Sequence, residues 1–483
     1  QITSIYMYAD MPQKRRKTDV YIRPPVSRFS VTDFGLIDTL YVLGYRTAKA
    51  ESKKLLPFKS YTNRRPMPQP GHPDSIYIRH IEIHGLKIPK AKQYFEWRTN
   101  IREGQKTGFD KFLEGINYLY GTGDYRQIHY WITPGDTLIV DIVPDTVRFK
   151  LRTAVHYMPL FQIEFLAGLT GRQLLSPRDR AVLEIIFGPN IRYNFDYLID
   201  NGYHLGLGFH SSFHKLERTV DYHLMLPRVQ NPSFHTMDLH VSVWTNRLFF
   251  QNLMSNSVNL HIGTEMQTHR VYTTVFSGNH SDRKFFFDHS TYYAGFMNFY
   301  YDDLDNYNFP MHGVKIQFDY KYIFGISENY AGVKPFHNIF LELSGYRKHN
   351  AHFSTSYEFK AGLNTSDTLA PSFYYYFGGT ESSVPFSHIM PFYGRDYLSF
   401  RSPAFLMLQP QLQWKVGQNH HLYFGLQGLL YTEGPVYEEK FRRTYSIYGR
   451  YGFESYFGPI FVTMGWEPLF RQWHAGLSIG FRF

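Results

Sequence analysis

At 483 residues the chain is long enough for roughly two or three domains, yet only 19% of it is charged, against 40 Tyr and 43 Phe. Mean hydropathy is −0.36 and no run approaches the ~18 consecutive apolar residues of a membrane helix, which excludes a helical membrane protein. The lack of cysteine excludes thiolate metal sites, cysteine nucleophiles and disulfides. The formal charge of +10 does not point to nucleic acid. Outside Lys14-Arg15-Arg16-Lys17 the basic residues are scattered, with no nucleic-acid motif among them; solvated loops and anionic lipid headgroups account for them. Low hydropathy with abundant Tyr and Phe fits a transmembrane β-barrel, whose lipid-facing and lumen-facing residues alternate between aromatic girdles. The first residue is Gln1, with no Met, basic n-region or signal-peptide core, so an exported chain of this kind is read as processed or as missing an N-terminal part.

From the N-terminus, Asp19-Val20-Tyr21-Ile22-Arg23-Pro24 reads as a short strand. An amphipathic helix is expected over residues 34–53, with Leu36, Leu40, Leu43 and Ala50 on one side and Thr32 or Asp33 as its cap. The phrases around residues 19–34 and this helix resemble the end of a patatin-like phospholipase domain, so residues 1–55 are read as its C-terminal remnant. That family works through a Ser-Asp dyad, with the Ser on a G-x-S-x-G elbow. No Asp-Gly pair occurs in the chain, and its G-x-S-x-G string, Gly476-Leu477-Ser478-Ile479-Gly480, falls within the final period-two strand rather than at a strand-to-helix turn, so it is no elbow. The residues given therefore hold no catalytic site, and lipid acyl hydrolysis would require a patatin domain before Gln1.

Residues 56–73 are rich in proline and basic groups and read as a linker. Over residues 74–145 the expected order is β-α-α-β-β. A strand through Ile76–Ile83 is followed by a helix through Tyr94, Phe95 and Trp97, and a second through Phe112, Ile116 and Leu119. A turn at Gly121-Thr122-Gly123 leads to strands Tyr125–Ile132 and Leu138–Val143. With the phrase Gly115-Ile116-Asn117-Tyr118-Leu119-Tyr120-Gly121-Thr122-Gly123, this segment resembles a POTRA domain. Such a domain offers an exposed strand edge to envelope protein partners, or serves as a spacer; both readings stay open here.

Residues 146–483 alternate with period two almost throughout, the mark of strands with two unlike faces. Val314, Ile316, Phe318, Tyr320 and Tyr322 alternate with polar residues, as do Leu205, Leu207 and Phe209. Met237, Leu239, Val241 and Val243 do so too, and their apolar face is expected against lipid. Strands are read near Val147, Ile163, Val182, His204, Thr236, Val258, Thr291 and Val314. The rest lie near Asn338, Phe353, Ser372, Ala404, His421, Thr444, Pro459 and Trp473. The fold class is thus mainly β, a transmembrane antiparallel barrel of about 16 strands preceded by one βααββ POTRA domain. In the last strand Ala475, Leu477, Ile479, Phe481 and Phe483 share one face. This ending resembles that of bacterial outer-membrane barrels, in which the assembly machinery reads the terminal aromatic; Phe481 and Phe483 carry that signal here.

One long interruption, about residues 378–401, contains Gly378-Gly379 and Gly394-Arg395-Asp396-Tyr397. It resembles the inward loop of the bacterial surface-antigen superfamily, which includes the outer-membrane insertase, two-partner secretion transporters and patatin-linked barrels. The resemblance implies that Gly378, Gly379, Gly394, Arg395 and Tyr397 form the lumen motif, with Arg395 paired to an acidic residue of the wall. Asp396 stands where that family usually has glycine. His210 and His214, four apart on one strand, are read as lumen-facing polar residues rather than metal ligands, and no cofactor is implied. The resulting expectation is a Gram-negative outer-membrane anchor, and translocation unit, for a patatin-like phospholipase, with residues 1–145 in the periplasm. Its partners would be outer-membrane lipids and the assembly machinery. The alternative is a non-enzymatic subunit of an outer-membrane assembly or secretion complex, which predicts a weak seam between the strands near Val147 and Trp473.

Overall fold

The computed structural model describes residues 15–26, 29, 36–58, 74–86, 90–176, 178–200, 205–226, 235–253, 257–275, 283–327, 334–381, 386, 388–435 and 440–481. Two compact units result, Gln1–Pro73 and Asp74–Phe483. In the first, α1 (Ile37–Ala50) begins three residues inside the expected helix, with Leu36 at its N-cap and no side-chain cap. Thr32 and Asp33 lie outside the described residues, as does most of the linker. No strand forms over Asp19–Pro24: a strand exists by pairing, and none of the described residues offers it a ladder.

The second unit opens with β1 (Ser75–Ile78), β2 (His80–His84), α2 (Ala91–Thr99), β3 (Gln105–Gly108), α3 (Phe109–Gly121), β4 (Tyr125–Ile132) and β5 (Thr137–Pro144). The expected first strand is split at Arg79, whose N–H donates to Asp136 O at 2.8 Å. Its first half pairs antiparallel with β3, a pairing the sequence reading lacked, while β2 runs parallel to β5, which also pairs with β4. Phe95, Phe112, Leu119, Leu138 and Val140 are fully buried between the helices and this sheet.

The rest closes into a sixteen-strand barrel in which chain neighbours pair antiparallel. Its first staves are β6 (Phe149–Met158), β7 (Gln162–Arg172), β8 (Asp179–Phe187) and β9 (Arg192–Ile199). Next come β10 (Gly206–Asp221), β11 (Thr236–Leu253), β12 (Val258–Val275) and β13 (Arg283–Asp302). β14 (Gly313–Ser327), β15 (Phe336–Lys348) and β16 (Phe353–Asn364) follow. Within the segment that interrupts the barrel, β17 (Tyr375–Phe377), β18 (Ile389–Met390) and β19 (Phe400–Ser402) make a small separate sheet. The last staves are β20 (Ala404–Val416), β21 (His420–Tyr431), β22 (Arg442–Ser455), β23 (Gly458–Glu467) and β24 (Gln472–Gly480).

The strand total agrees with the sequence reading through two errors that cancel. Strand β9 was missed, because its alternation is carried by Tyr193, Phe195 and Tyr197 rather than aliphatic residues over a short run. The segment near Ser372 is no stave; Pro371–Phe373 is a 3₁₀ turn inside the lumen. The interruption is accordingly longer than expected, running from Thr365 to Pro403 between β16 and β20.

The outer surface follows the period-two pattern: Leu151, Phe165, Leu207, Leu248, Phe250, Leu408, Phe424, Leu477 and Ile479 are all exposed. The apolar face of the far half of β11 is reversed. Met237 and Leu239 are buried in the lumen beside Tyr376 and Leu398 of the inserted segment, and Val241 and Val243, also expected against lipid, line the same interior. A tilted strand crosses a bilayer in ~9–11 residues, whereas β11, β12 and β13 run to 18, 18 and 20. At the end of these strands away from residues 74–145 the insertion supplies a core, Tyr376, Ile389 and Leu398 packing with Leu216, Met237 and Leu239.

Candidate functional site: the lumen insertion and the seam

Gly378 and Gly379 begin the motif with φ of +130° and +84°. A Cβ on the first would collide with the Asp396 carbonyl, and one on the second with the Tyr397 ring. Only glycine lets these backbones meet. The Gly379 N–H donates to Arg395 O at 2.9 Å, closing the loop on its own tip. The five motif residues are therefore brought together.

The tip then rests on the wall. Gly394 has φ +95° and a Cβ there would lie 2.7 Å from the Glu467 backbone nitrogen; one on Gly465 would lie 2.5 Å from the nitrogen of Gly394. Contact this close delivers Arg395 to Glu467 at the end of β23. Nη2 donates to Oε1 at 3.1 Å and Nε to Oε2, a two-pronged pair that fixes the guanidinium plane. Glu467 is completely buried and also accepts from the Thr444 hydroxyl. The Arg395 guanidinium lies 3.9 Å from the centre of the Phe470 ring, so the charge pair is capped by an aromatic face.

The next residue pulls the opposite way. Asp396 accepts from Arg218 Nη2 at 2.8 and 3.1 Å, and Arg218 sits on β10, across the lumen from β23. Tyr397, nearly fully buried, has the Arg218 guanidinium 5.4 Å from its ring centre and meets the edge of His474 on β24 at 5.9 Å. Three consecutive residues thus tie the insertion to β23, β10 and β24. Tyr393 adds a fourth tie: its N–H donates to Gln427 Oε1 at 3.0 Å and its ring lies 4.2 Å from that of Tyr448.

Among the predicted histidines, His210 Nδ1 is 2.7 Å from Asp196 Oδ1 and His214 Nε2 is 3.0 Å from Asn194 Oδ1. Both partners lie on β9, so each ring is engaged along its own wall. Phe481 is half exposed on the outer face, and Phe483 lies outside the described residues.

Beside the tip, the barrel closes poorly. Among the described residues β24 meets β6 through two residue pairs, Ile479 with Tyr157 and Gly480 with His156. Gly480 bends the strand at φ +102°, where a Cβ would strike the Val155 carbonyl. His156 Nε2 lies 3.3 Å from Ser478 Oγ across the junction. By contrast β23 and β24 pair continuously over Ile460–Glu467.

Sequence reasoning missed Glu467, Arg218 and Gly465. The readable signal was a glycine and a carboxylate in Gly465-Trp466-Glu467, two residues apart on the small face of a strand.

A closed sixteen-strand barrel with an inward insertion locked by a buried Arg–Glu pair defines an outer-membrane β-barrel protein. Residues 136–483 match the OMP85 superfamily, and the chain belongs to that family. Among solved structures, BamA from Haemophilus ducreyi lacking POTRA domains 1–3 is similar at TM-score 0.56 and 13% identity, covering 84% of each chain. CdiB from Acinetobacter baumannii gives TM-score 0.49 and 11% identity over 99% of this chain and 97% of that one. CdiB from Escherichia coli gives 0.45 and 10% over 94% and 99%. No curated protein matches the chain. The family match starts beyond the patatin-like stretch, so the phospholipase link has no support from these comparisons.

Proposed function

We propose that the protein is a non-enzymatic component of outer-membrane assembly or secretion machinery, and that its barrel opens between β6 and β24 to pass or template client strands. The observation that carries this reading is that, among the described residues, the junction has two residue pairs in a wall whose other neighbours pair over seven or more. In hydrocarbon each unsatisfied backbone group costs several kcal/mol. A junction this short leaves donors and acceptors free at the wall, and such an edge accepts another strand. Residues 74–145 act as a periplasmic POTRA domain, with β2 and β4 as its sheet edges and an extended client segment as the partner they suit. The motif Gly378, Gly379, Gly394, Arg395 and Tyr397 holds the insertion as a plug beside the seam, while Phe481 and Phe483 present the chain to the assembly machinery.

The chain lacks cysteine, so a Tyr157→Cys, Ile479→Cys pair can be oxidised without competing thiols. Register partners lie close enough for a disulfide. In proteoliposomes with an eight-stranded outer-membrane barrel as client, the oxidised variant should lose the insertion activity that reductant restores. Equal activity in both redox states would remove the seam from the mechanism. A second reading, the anchor of a patatin-like hydrolase, rests on the phrases in residues 19–53 and on α1 alone.

A further inference from the structure

The turn joining β13 to β14, residues 303–312, does not stand out from the barrel. It lies at the end facing residues 74–145, where the Tyr118 hydroxyl of α3 bonds Ser257 and the Ser257 carbonyl accepts from the Asp302 N–H at 3.0 Å. From there the turn folds inward, burying Phe309 and Met311. The Phe309 ring is stacked on His421 of β21, with 4.4 Å between ring centres, and lies 5.1 Å from Phe461 of β23. Between them stands Gly452 of β22, where a Cβ would come within 2.7 Å of the Phe309 ring. β13 and β14 stand four to seven places round the wall from these three strands, so the turn crosses the mouth of the lumen as a chord.

The turn carries its shape with it. Asp305 Oδ1 accepts from the N–H groups of Met311 and His312 at 2.9 and 3.1 Å, and Asn306 Oδ1 from those of Asn308 and Phe309 at 2.9 and 3.0 Å. Among the described residues, the hydrogen bonds of residues 304–312 all end within the hairpin of β13, β14 and the turn itself. What holds it across the lumen is the Phe309 ring in its aromatic socket. That socket is fixed from behind. His421 Nε2 is 2.8 Å from Glu454 Oε1 and its Nδ1 is 3.1 Å from Gln413 Nε2, while the Arg450 guanidinium lies 4.0 Å from the centre of the Phe461 ring. A ring can leave such a socket without stranding a hydrogen-bonding group, so apolar burial alone opposes its release.

We infer that residues 303–312 form a lid over this mouth of the lumen, latched by Phe309, which swings clear to admit an extended polypeptide segment to the space below the insertion. A sixteen-strand wall leaves an aqueous channel unless something fills it, and one turn narrows the mouth without sealing it. The lid therefore governs the entry of bulky groups more than that of ions. It stands whether or not the wall opens between β6 and β24.

The chain has no cysteine, so Thr463→Cys places a single thiol on the lumen face of β23, at a fully buried position one step deeper than Phe461. The full chain in lipid nanodiscs is then labelled with a sulfonated maleimide. Behind the native turn the thiol should react slowly. Phe309→Ala should raise the rate at least about tenfold, well within the loss from truncating a buried Phe. Gly452→Val, which evicts the ring without removing it, should do the same. Tyr307→Ala, at the 80% exposed tip of the turn, should leave the rate unchanged. Folding of each variant is checked by heat-modifiable gel mobility; should Phe309→Ala fail it, Gly452→Val decides. A rate unmoved in the folded variant, or raised equally by Tyr307→Ala, would make Phe309 a packing residue of the wall and overturn the lid.

Discussion

Replacing Glu467 by Ala should free the insertion from the wall while leaving the barrel closed. Glu467 has no exposed side-chain surface and Arg395 only 12%. Removing one member of so buried a pair strands the other, at a cost of ~3–5 kcal/mol, or roughly a 10²–10⁴-fold shift toward the undocked insertion. The Arg218–Asp396 tie provides the internal control: the Asp396 side chain is 61% exposed, so Arg218→Ala should cost only ~0.2–1 kcal/mol. Two readouts separate docking from folding. Heat-modifiable mobility reports the barrel, while trypsin cleavage after Arg401 and single-channel conductance report the insertion. Both insertion signals should rise steeply in Glu467→Ala and hardly move in Arg218→Ala. The double variant Arg395→Ala, Glu467→Ala should cost clearly less than the sum of its singles, since the second deletion removes a charge already unpaired. Additive effects, or equal responses from Glu467→Ala and Arg218→Ala, would refute the view that the buried pair holds the plug.

Gly465→Val should undock the tip by overpacking, at about 1–3 kcal/mol, because its Cβ site is 2.5 Å from Gly394 N; the same conductance assay checks it. Phe112→Ala, at a position with no solvent exposure, should destabilise residues 74–145 by about 3–5 kcal/mol, seen as proteolysis there with the barrel intact. Acid should act through Glu103. A hydrogen bond from Lys92, with a second from the Ile81 N–H, holds its carboxyl below the usual range. A depressed carboxylate contributes stability above its unfolded pKa and loses it as pH falls through the folded one. Resistance of residues 74–145 to protease should therefore drop below the ordinary glutamate range, and Glu103→Gln should flatten that dependence.

The seam and the lumen show where reading a linear chain runs out. Alternation alone puts Leu205, Leu207 and Leu477 on the outer face, since a strand's two faces are set by residue parity. Parity does not say which side of a wall is wet. In β11 the same alternation runs the other way for Met237 and Leu239, because a folded insertion supplies a dry interior where the strand has left the membrane. Residues near Ser372 alternate well enough to pass for a stave, and only competition for the lumen makes them a turn.

What residue order settled is local: a period-two chain with an aromatic-rich outer face, two glycines and an Arg-Asp-Tyr tip flanking one long break, and a β-α-α-β-β segment before it. Those follow from dihedral preference and side-chain alternation, which neighbouring residues dictate. Tertiary structure decided which carboxylate receives Arg395, that Asp396 reaches the opposite wall, and that the first and last staves meet at Ile479–Gly480 and His156–Tyr157. Each depends on partners 72, 178 or 324 positions away (the last being Gly480 and His156), brought together only when the cylinder closes and its circumference fixes who faces whom.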